Sequence, residues 1–234
     1  MPCPTHLIVN ADDFGLSLET NRGIAFAHEH GIVTSASLMV HGAAVEDAVA
    51  YAKAHATLDL GLHVDLGEWR WDGGSWEPVY QVVEHEDADT LAAEVRRQFE
   101  RFLRLCGKPP THIDSHQHVH RNGPARDAVL ALAERFAIPV RHFTPSIRYC
   151  GDFYGQDDAG RSYPELVTAA ALVALLNRLP PGVTELGCHP GMGDDLDTMY
   201  VRERSLEVAA LCDPEVRAAV ADLGIELVSF ARWP

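Results

Sequence analysis

Apolar and polar positions along the chain fall into short runs that alternate between two periods. Residues 7–15 read LIVNADDFG, an apolar run too short for a helix that ends in two adjacent carboxylates and a glycine. Such a run suits a parallel strand buried on both faces. Residues 18–30 space Leu18, Ile24, Ala25 and Ala27 among polar positions, with Ser17 placed as a cap and Gly31 as a stop, and predict a helix. Residues 32–40 return to β-branched and apolar character, 43–56 form an alanine-rich helix and 58–66 a third strand. Residues 67–88 break the rhythm with Gly73-Gly74, Pro78 and three tryptophans, and predict a long loop.

Helix resumes over 89–106, stopped by Gly107 and the Pro109-Pro110 pair, and a strand at 111–115 runs into the histidine-rich HQHVH. Pro124 opens a helix over 124–136, residues 138–143 read as a strand, and 145–163 form a second long loop. A helix is predicted from Pro164 to Leu179, a strand at 183–188, helices near 202–212 and 214–223, and a last strand at 225–230. Seven strands alternating with helices predict an α/β fold: one domain over residues 1–234, built as an irregular parallel β/α barrel, closed or nearly so. A doubly wound open sheet is the alternative.

Composition narrows the partners. With 19 Lys and Arg against 34 Asp and Glu, the net charge of −15 repels polyanions and excludes nucleic acid as the expected ligand. A neutral or amine-bearing small molecule fits better. Five scattered cysteines without a C-x-x-C pair suggest neither a disulfide framework nor a cysteine zinc site. No segment approaches the length of apolar chain that spans a bilayer, so a cytoplasmic, unanchored protein is expected, with homo-oligomerisation left open.

The chemistry collects at one end of the predicted strands, where α/β proteins build their sites. Asp12 and Asp13 end the first strand, His63 lies within the third, Asp114 and His116 close the fourth, Arg141 and His142 lie on the fifth, and His189 follows the sixth. Neighbouring carboxylates repel, so the Asp12–Asp13 pair needs a cation or hydrogen bonds, and an enzyme can use one as metal ligand and the other as base; a helix cap is the alternative. Residues 114, 116, 118 and 120 share parity and would face one side if extended; a solvated loop that happens to be His-rich is the alternative. Asp13, His63 and His116 offer one carboxylate and two imidazoles, a set suited to a catalytic divalent ion. Neither a phosphate-cradling loop nor a serine-hydrolase elbow occurs in the chain.

Four motifs in order, NADDFG with GIVTSASLM, then GLHVDL, THIDSHQHVH and ELGCHPG, resemble the YdjC family of carbohydrate deacetylases, which includes chitooligosaccharide deacetylases and the hopanoid-associated HpnK proteins. The resemblance implies a β/α barrel related to polysaccharide deacetylases, one divalent metal (Mg2+ or Zn2+), and removal of acetyl from an N-acetylated amino sugar. It makes Asp13 the metal carboxylate and His63 and His116 the metal imidazoles, with Asp12 the general base and His189 the general acid. Arg141 is then a candidate to hold Asp12 ionised by charge pairing; a simple surface or strand-end arginine is the alternative. His118, Trp69, Trp71 and Tyr154 are the expected substrate contacts, the aromatics because sugar C–H faces stack on such rings. The expected substrate is a small N-acetylglucosamine-containing saccharide or glycoconjugate. A metal-dependent phosphohydrolase and a catalytically idle sugar-binding barrel are the competing readings.

Overall fold

The computed structural model describes residues 4–84 and 87–232. Its centre is β1 (Thr5–Phe14). On one edge β1 pairs in parallel with β8 (Gly182–Cys188); on the other it pairs with β2 (Ser35–Leu38) and, near its start, with the short β9 (Glu226–Leu227). With β3 (Asp59–Val64), β6 (Ile113–Ser115) and β7 (Ile147–Cys150), the sheet runs β6-β3-β2-β1-β8-β7, and the pairings among its described strands are all parallel. The sheet curls into a half-barrel wrapped by helices. Among the described residues no ladder joins β6 to β7; β6 instead makes a single parallel bridge, Ile113 to Val140, with the segment that precedes β7.

Strand periodicity sorts β1 between two environments. Leu7, Val9 and Ala11 pack into the main core, which the helices cover, while Ile8 joins Ile147, Val183, Val228 and Phe230 in a separate apolar plug. Above that plug the interior becomes polar. Asn10 hydrogen-bonds Asp12 and Ser37 at 2.8 Å each; His112 stacks on Phe230 with ring centres 3.7 Å apart and meets Ser37 Oγ at 2.9 Å. Gly61 makes room for this histidine, since a Cβ there would lie 2.3 Å from its Nε2. The barrel interior thus grades from an apolar floor through a buried hydrogen-bonded layer to the carboxyl ends of the strands.

The helices follow local signals. Ser17 caps α1 (Leu18–His30) by accepting from the Thr20 N–H, and Asp87 caps α3 (Ala88–Cys106), which ends on left-handed Gly107. The others are α2 (Val45–Ala54), α4 (Gly123–Phe136), α5 (Ala169–Leu176), α6 (Arg202–Leu211) and α7 (Pro214–Asp222).

Six expectations need correction. The expected loop at 67–88 contains an antiparallel hairpin, β4 (Gly67–Trp71) with β5 (Trp76–Gln81), turning at Gly73-Gly74. The expected strand 138–143 is no strand: Pro139 cannot donate to a ladder, His142 has φ +68, and the chain turns at Val140, which accepts from the Phe143 N–H. A strand forms instead at 147–150, inside the expected second loop. The helix from Pro164 starts as a 3-10 turn, Pro164–Val167, and restarts with Thr168 capping α5. The last strand shrinks to two residues because Phe230 begins a 3-10 turn. The even-numbered run 114–120 is not extended either, since His116–Arg121 is 3-10-like with left-handed Gln117 and His118.

Candidate active site

Strict alternation would send Asp13 to the helix side of β1. Instead the β1–β2 register shifts between Ala11 and Phe14, and Asp13 takes φ +67, a conformation Asp tolerates better than most residues. Both carboxylates therefore line one pocket at the strand end. His63 reaches it from β3 and His116 from the first residue after β6.

Asp13 Oδ1 lies 3.0 Å from His116 Nδ1 and 3.3 Å from His63 Nε2, and the three candidate ligand atoms fall within 4.8 Å of one another. The other nitrogen of His63 is hydrogen-bonded to Asp114 Oδ1 at 2.7 Å, which fixes the ring and directs Nε2 at Asp13. Burial disfavours a charged imidazole, yet the Asp114 and Asp13 carboxylates overcome it and raise His63 to about 10. Such a demand for positive charge at one carboxylate and two imidazoles fits a divalent cation. A second grouping, Asp12, His63 and Asp114, already has its cation: Arg141 lies 2.7 Å from Asp12 and 2.6 Å from Asp114.

Arg141 is the largest departure from a surface reading. Its side chain is 1% exposed, and its guanidinium binds both oxygens of Asp12 at 2.7 Å, with Glu185 Oε1 on its Nε at 2.7 Å. Burial alone would raise the Asp12 carboxyl, but the arginine outweighs it and keeps Asp12 ionised. Glu185, sharing the same cation with two other carboxylates, is pushed up to about 7 by burial.

His189 follows β8, with Nε2 3.7 Å from Asp12 Oδ2. Burial pushes its imidazole down to about 4, so it is neutral at rest. Tyr154 and Tyr200 stack in parallel at 4.5 Å and each meets the His189 ring edge-on, at 5.4 and 5.5 Å. Two buried side chains of α6 complete the site: Arg204 donates to Asp13 Oδ2 at 2.6 Å, and Glu207 accepts from the His189 N–H and from the Tyr200 hydroxyl. Neither residue stands out in the sequence, where an arginine and a glutamate three apart on a helix read as a solvated face. Glu185, a lone acid inside an apolar strand, carried a legible signal.

The pocket has a volume of about 610 Å3, within the range of small-ligand sites. Its walls are the hairpin, through Trp69 and Trp76, and the 151–160 segment, through Phe153 and Tyr154; His118 and Tyr149 line it near His116. Trp71 stands apart from the lining and packs against Trp76 with ring centres 5.9 Å apart. The hairpin is docked by Gln117, whose side-chain amide accepts from the Trp69 N–H at 2.9 Å and donates to the Trp69 carbonyl at 2.8 Å.

In class, this is a curled parallel β/α sheet with a carboxylate–imidazole cluster at its strand ends. A family 4 carbohydrate esterase from Streptomyces lividans, solved in complex with acetate, has the same fold at a TM-score of 0.58 and 16% identity, over 96% of this chain and 92% of that one. A putative cellobiose-phosphate cleavage protein from Enterococcus faecalis is similar at a TM-score of 0.80 and 26% identity, over 98% of each chain. Residues 6–222 match the YdjC-like protein family, and the chain belongs to it. It is 33% identical to a carbohydrate deacetylase from Geobacillus stearothermophilus, over 98% of both chains, and 33% identical to a chitooligosaccharide deacetylase from Serratia marcescens, over 96% of this chain and 97% of that one.

Proposed function

We propose that this protein is a metal-dependent carbohydrate N-deacetylase that hydrolyses the acetamide of a small N-acetylglucosamine-containing saccharide or glycoconjugate. The observation that carries the reading is the convergence of Asp13, His63 and His116 on one point beside an arginine-clamped Asp12. Asp13, His63 and His116 would hold a divalent ion, Mg2+ or Zn2+, which when bound would supply Lewis acidity toward the acetyl carbonyl and toward water.

Asp12, kept ionised by Arg141, accepts the proton of the attacking water. His189 delivers a proton to the departing amine. Because its imidazole is neutral at rest, it must first gain that proton, and Asp12 at 3.7 Å is the neighbour that has just acquired one. Trp69, Trp76 and Tyr154 offer rings for the apolar faces of a sugar, and His118 a polar contact beside them.

Arg204 is the only Lys or Arg among the described residues that line the pocket, and it is already paired with Asp13, which counts against a phosphorylated group as the reacting centre. A cytoplasmic setting belongs to the same reading: the four described cysteines are free, and no described helix is long and apolar enough to cross a membrane. The test is acetate release from a panel of N-acetylated sugars and simple acetamides, with phosphate release in parallel, before and after chelation. Chelator-sensitive acetate release confined to the sugars is expected; phosphate release, or equal turnover of simple acetamides, overturns the reading.

A further inference from the structure

α6 meets the end of β8 through two side chains one turn apart. Arg204 donates to Asp13 Oδ2 at 2.6 Å and from Nε to the Tyr200 carbonyl at 2.9 Å, and its remaining terminal nitrogen lies 3.5 Å from the carbonyl oxygen of His189. Glu207 accepts from the N–H of the same histidine. The backbone of His189 is therefore held on both its polar groups by α6, and one of the two holding groups also grips Asp13. The contact is tight: the Gly191 N–H donates to the Arg204 carbonyl at 3.2 Å, and a Cβ on Gly23 of α1 would lie 2.4 Å from the Gly191 Cα.

Two consequences follow from which atoms are used. Arg204 occupies Asp13 Oδ2, so Oδ1 is the oxygen turned toward His63 Nε2 and His116 Nδ1. His189 Nδ1 is buried and has no hydrogen-bond partner, lying 4.0 Å from Glu207 Oε1. The imidazole is thus placed through its backbone and by the edge-on rings of Tyr154 and Tyr200, rather than by a bond at Nδ1.

Building on the proposed deacetylase reading, we infer that Arg204 and Glu207 are positioning residues that hold the metal carboxylate Asp13 and the proton-delivering His189 at one fixed separation. Arg204 presents a single oxygen of Asp13 to the metal; Glu207 holds His189 over the pocket. A merely structural pair, sealing α6 against the barrel, would lower every activity in parallel and leave metal affinity in the folded protein unchanged.

The experiment compares Arg204→Lys and Glu207→Gln with the wild-type protein, each verified as folded by its melting curve. Three quantities are read: affinity of the metal-free protein for Zn2+ by titration calorimetry, turnover of an N-acetylated chitooligosaccharide, and turnover of p-nitrophenyl acetate, whose leaving group needs no proton. Arg204→Lys is expected to weaken Zn2+ binding about tenfold or more, as loss of a group that orients a ligand does, and to lower amide turnover more than ester turnover. Glu207→Gln is expected to leave Zn2+ affinity unchanged and to lower the amide-to-ester ratio about tenfold or more. Unchanged Zn2+ affinity in Arg204→Lys, or an unchanged amide-to-ester ratio in Glu207→Gln, overturns the inference. If Arg204→Lys does not fold, Arg204→Gln, which keeps a planar amide donor, takes its place under the same criteria. Should the wild-type protein release acetate from no N-acetylated sugar, the functional reading fails on its own, and calorimetry still decides the role of Arg204.

Discussion

Arg141 and Asp12, 129 residues apart in sequence, form a two-pronged ion pair with both N–O distances at 2.7 Å in a site from which solvent is nearly excluded. The planar fork of a guanidinium matches a carboxylate as a lysine cannot. The same guanidinium also meets Asp114 and Glu185, so one cation compensates three buried acids.

Removing that cation should therefore cost fold stability as well as chemistry. Arg141→Met leaves Asp12 and Glu185 without their guanidinium and Asp114 with His63 alone, and a loss of roughly 3–5 kcal/mol is expected from one broken buried pair alone. Urea unfolding of the variant against wild type reads it. A midpoint that does not move would mean that the acids had taken up protons at little cost.

The metal reading makes a graded prediction. Alanine at Asp13, His63 or His116 removes a donor atom and should lower divalent-ion content, measured by elemental analysis. Asp114→Asn keeps all three donors but alters the bond that orients His63, and should weaken affinity by roughly 10- to 100-fold. A His63→Ala protein with its full metal complement would remove that histidine from the centre.

Asp12 and His189 are separable by leaving group. Asp12→Asn keeps the shape and the metal donors but cannot accept a proton, and should lose roughly 100- to 10,000-fold in turnover on amide and ester alike. His189→Ala should depress amide hydrolysis far more than ester hydrolysis. Equal losses on both substrates count against proton delivery by His189.

Mild acid should destabilise the polar layer beneath the site. Burial pushes His112 down to about 4, against 6.5 for an ordinary imidazole, while it sits against Phe230 and Ser37. A folded-state value below the unfolded one means that the unfolded chain takes up the proton first. Stability from this group is thus complete above about pH 6.5 and falls as the pH drops toward 4, by on the order of 3 kcal/mol as an upper bound. His120, also pushed down to about 4 by burial, adds in the same direction. The drop in melting temperature between pH 7 and pH 5 should be smaller for His112→Gln than for wild type; an equal drop assigns the acid sensitivity to other groups.

Gln117 ties the hairpin to the segment that carries His116. Gln117→Ala removes both bonds to the Trp69 backbone and should raise KM about tenfold, equivalent to about 1.4 kcal/mol, with kcat and metal content nearly kept. A fall in metal content without a change in KM would show instead that Gln117 supports His116.

Sequence by itself determined the alternation of strands and helices and the cluster of Asp12, Asp13, His63, His116 and His189, because each signal is local: a period of two, a doubled carboxylate, a histidine inside an apolar run. It also determined the family, since the four motifs occur in register. Tertiary structure decided what these residues touch. The burial of Arg141 depends on acids from three strands, and Arg141 itself lies in a turn rather than in the expected strand. The hairpin at 67–81 rests on an amide donated by Gln117 from the segment after β6. Arg204 and Glu207 belong to the site because α6 folds back against β8. Charged residues on a short helix carry no mark of burial, because the partners that compensate them lie far away in the chain and meet them only when the sheet curls.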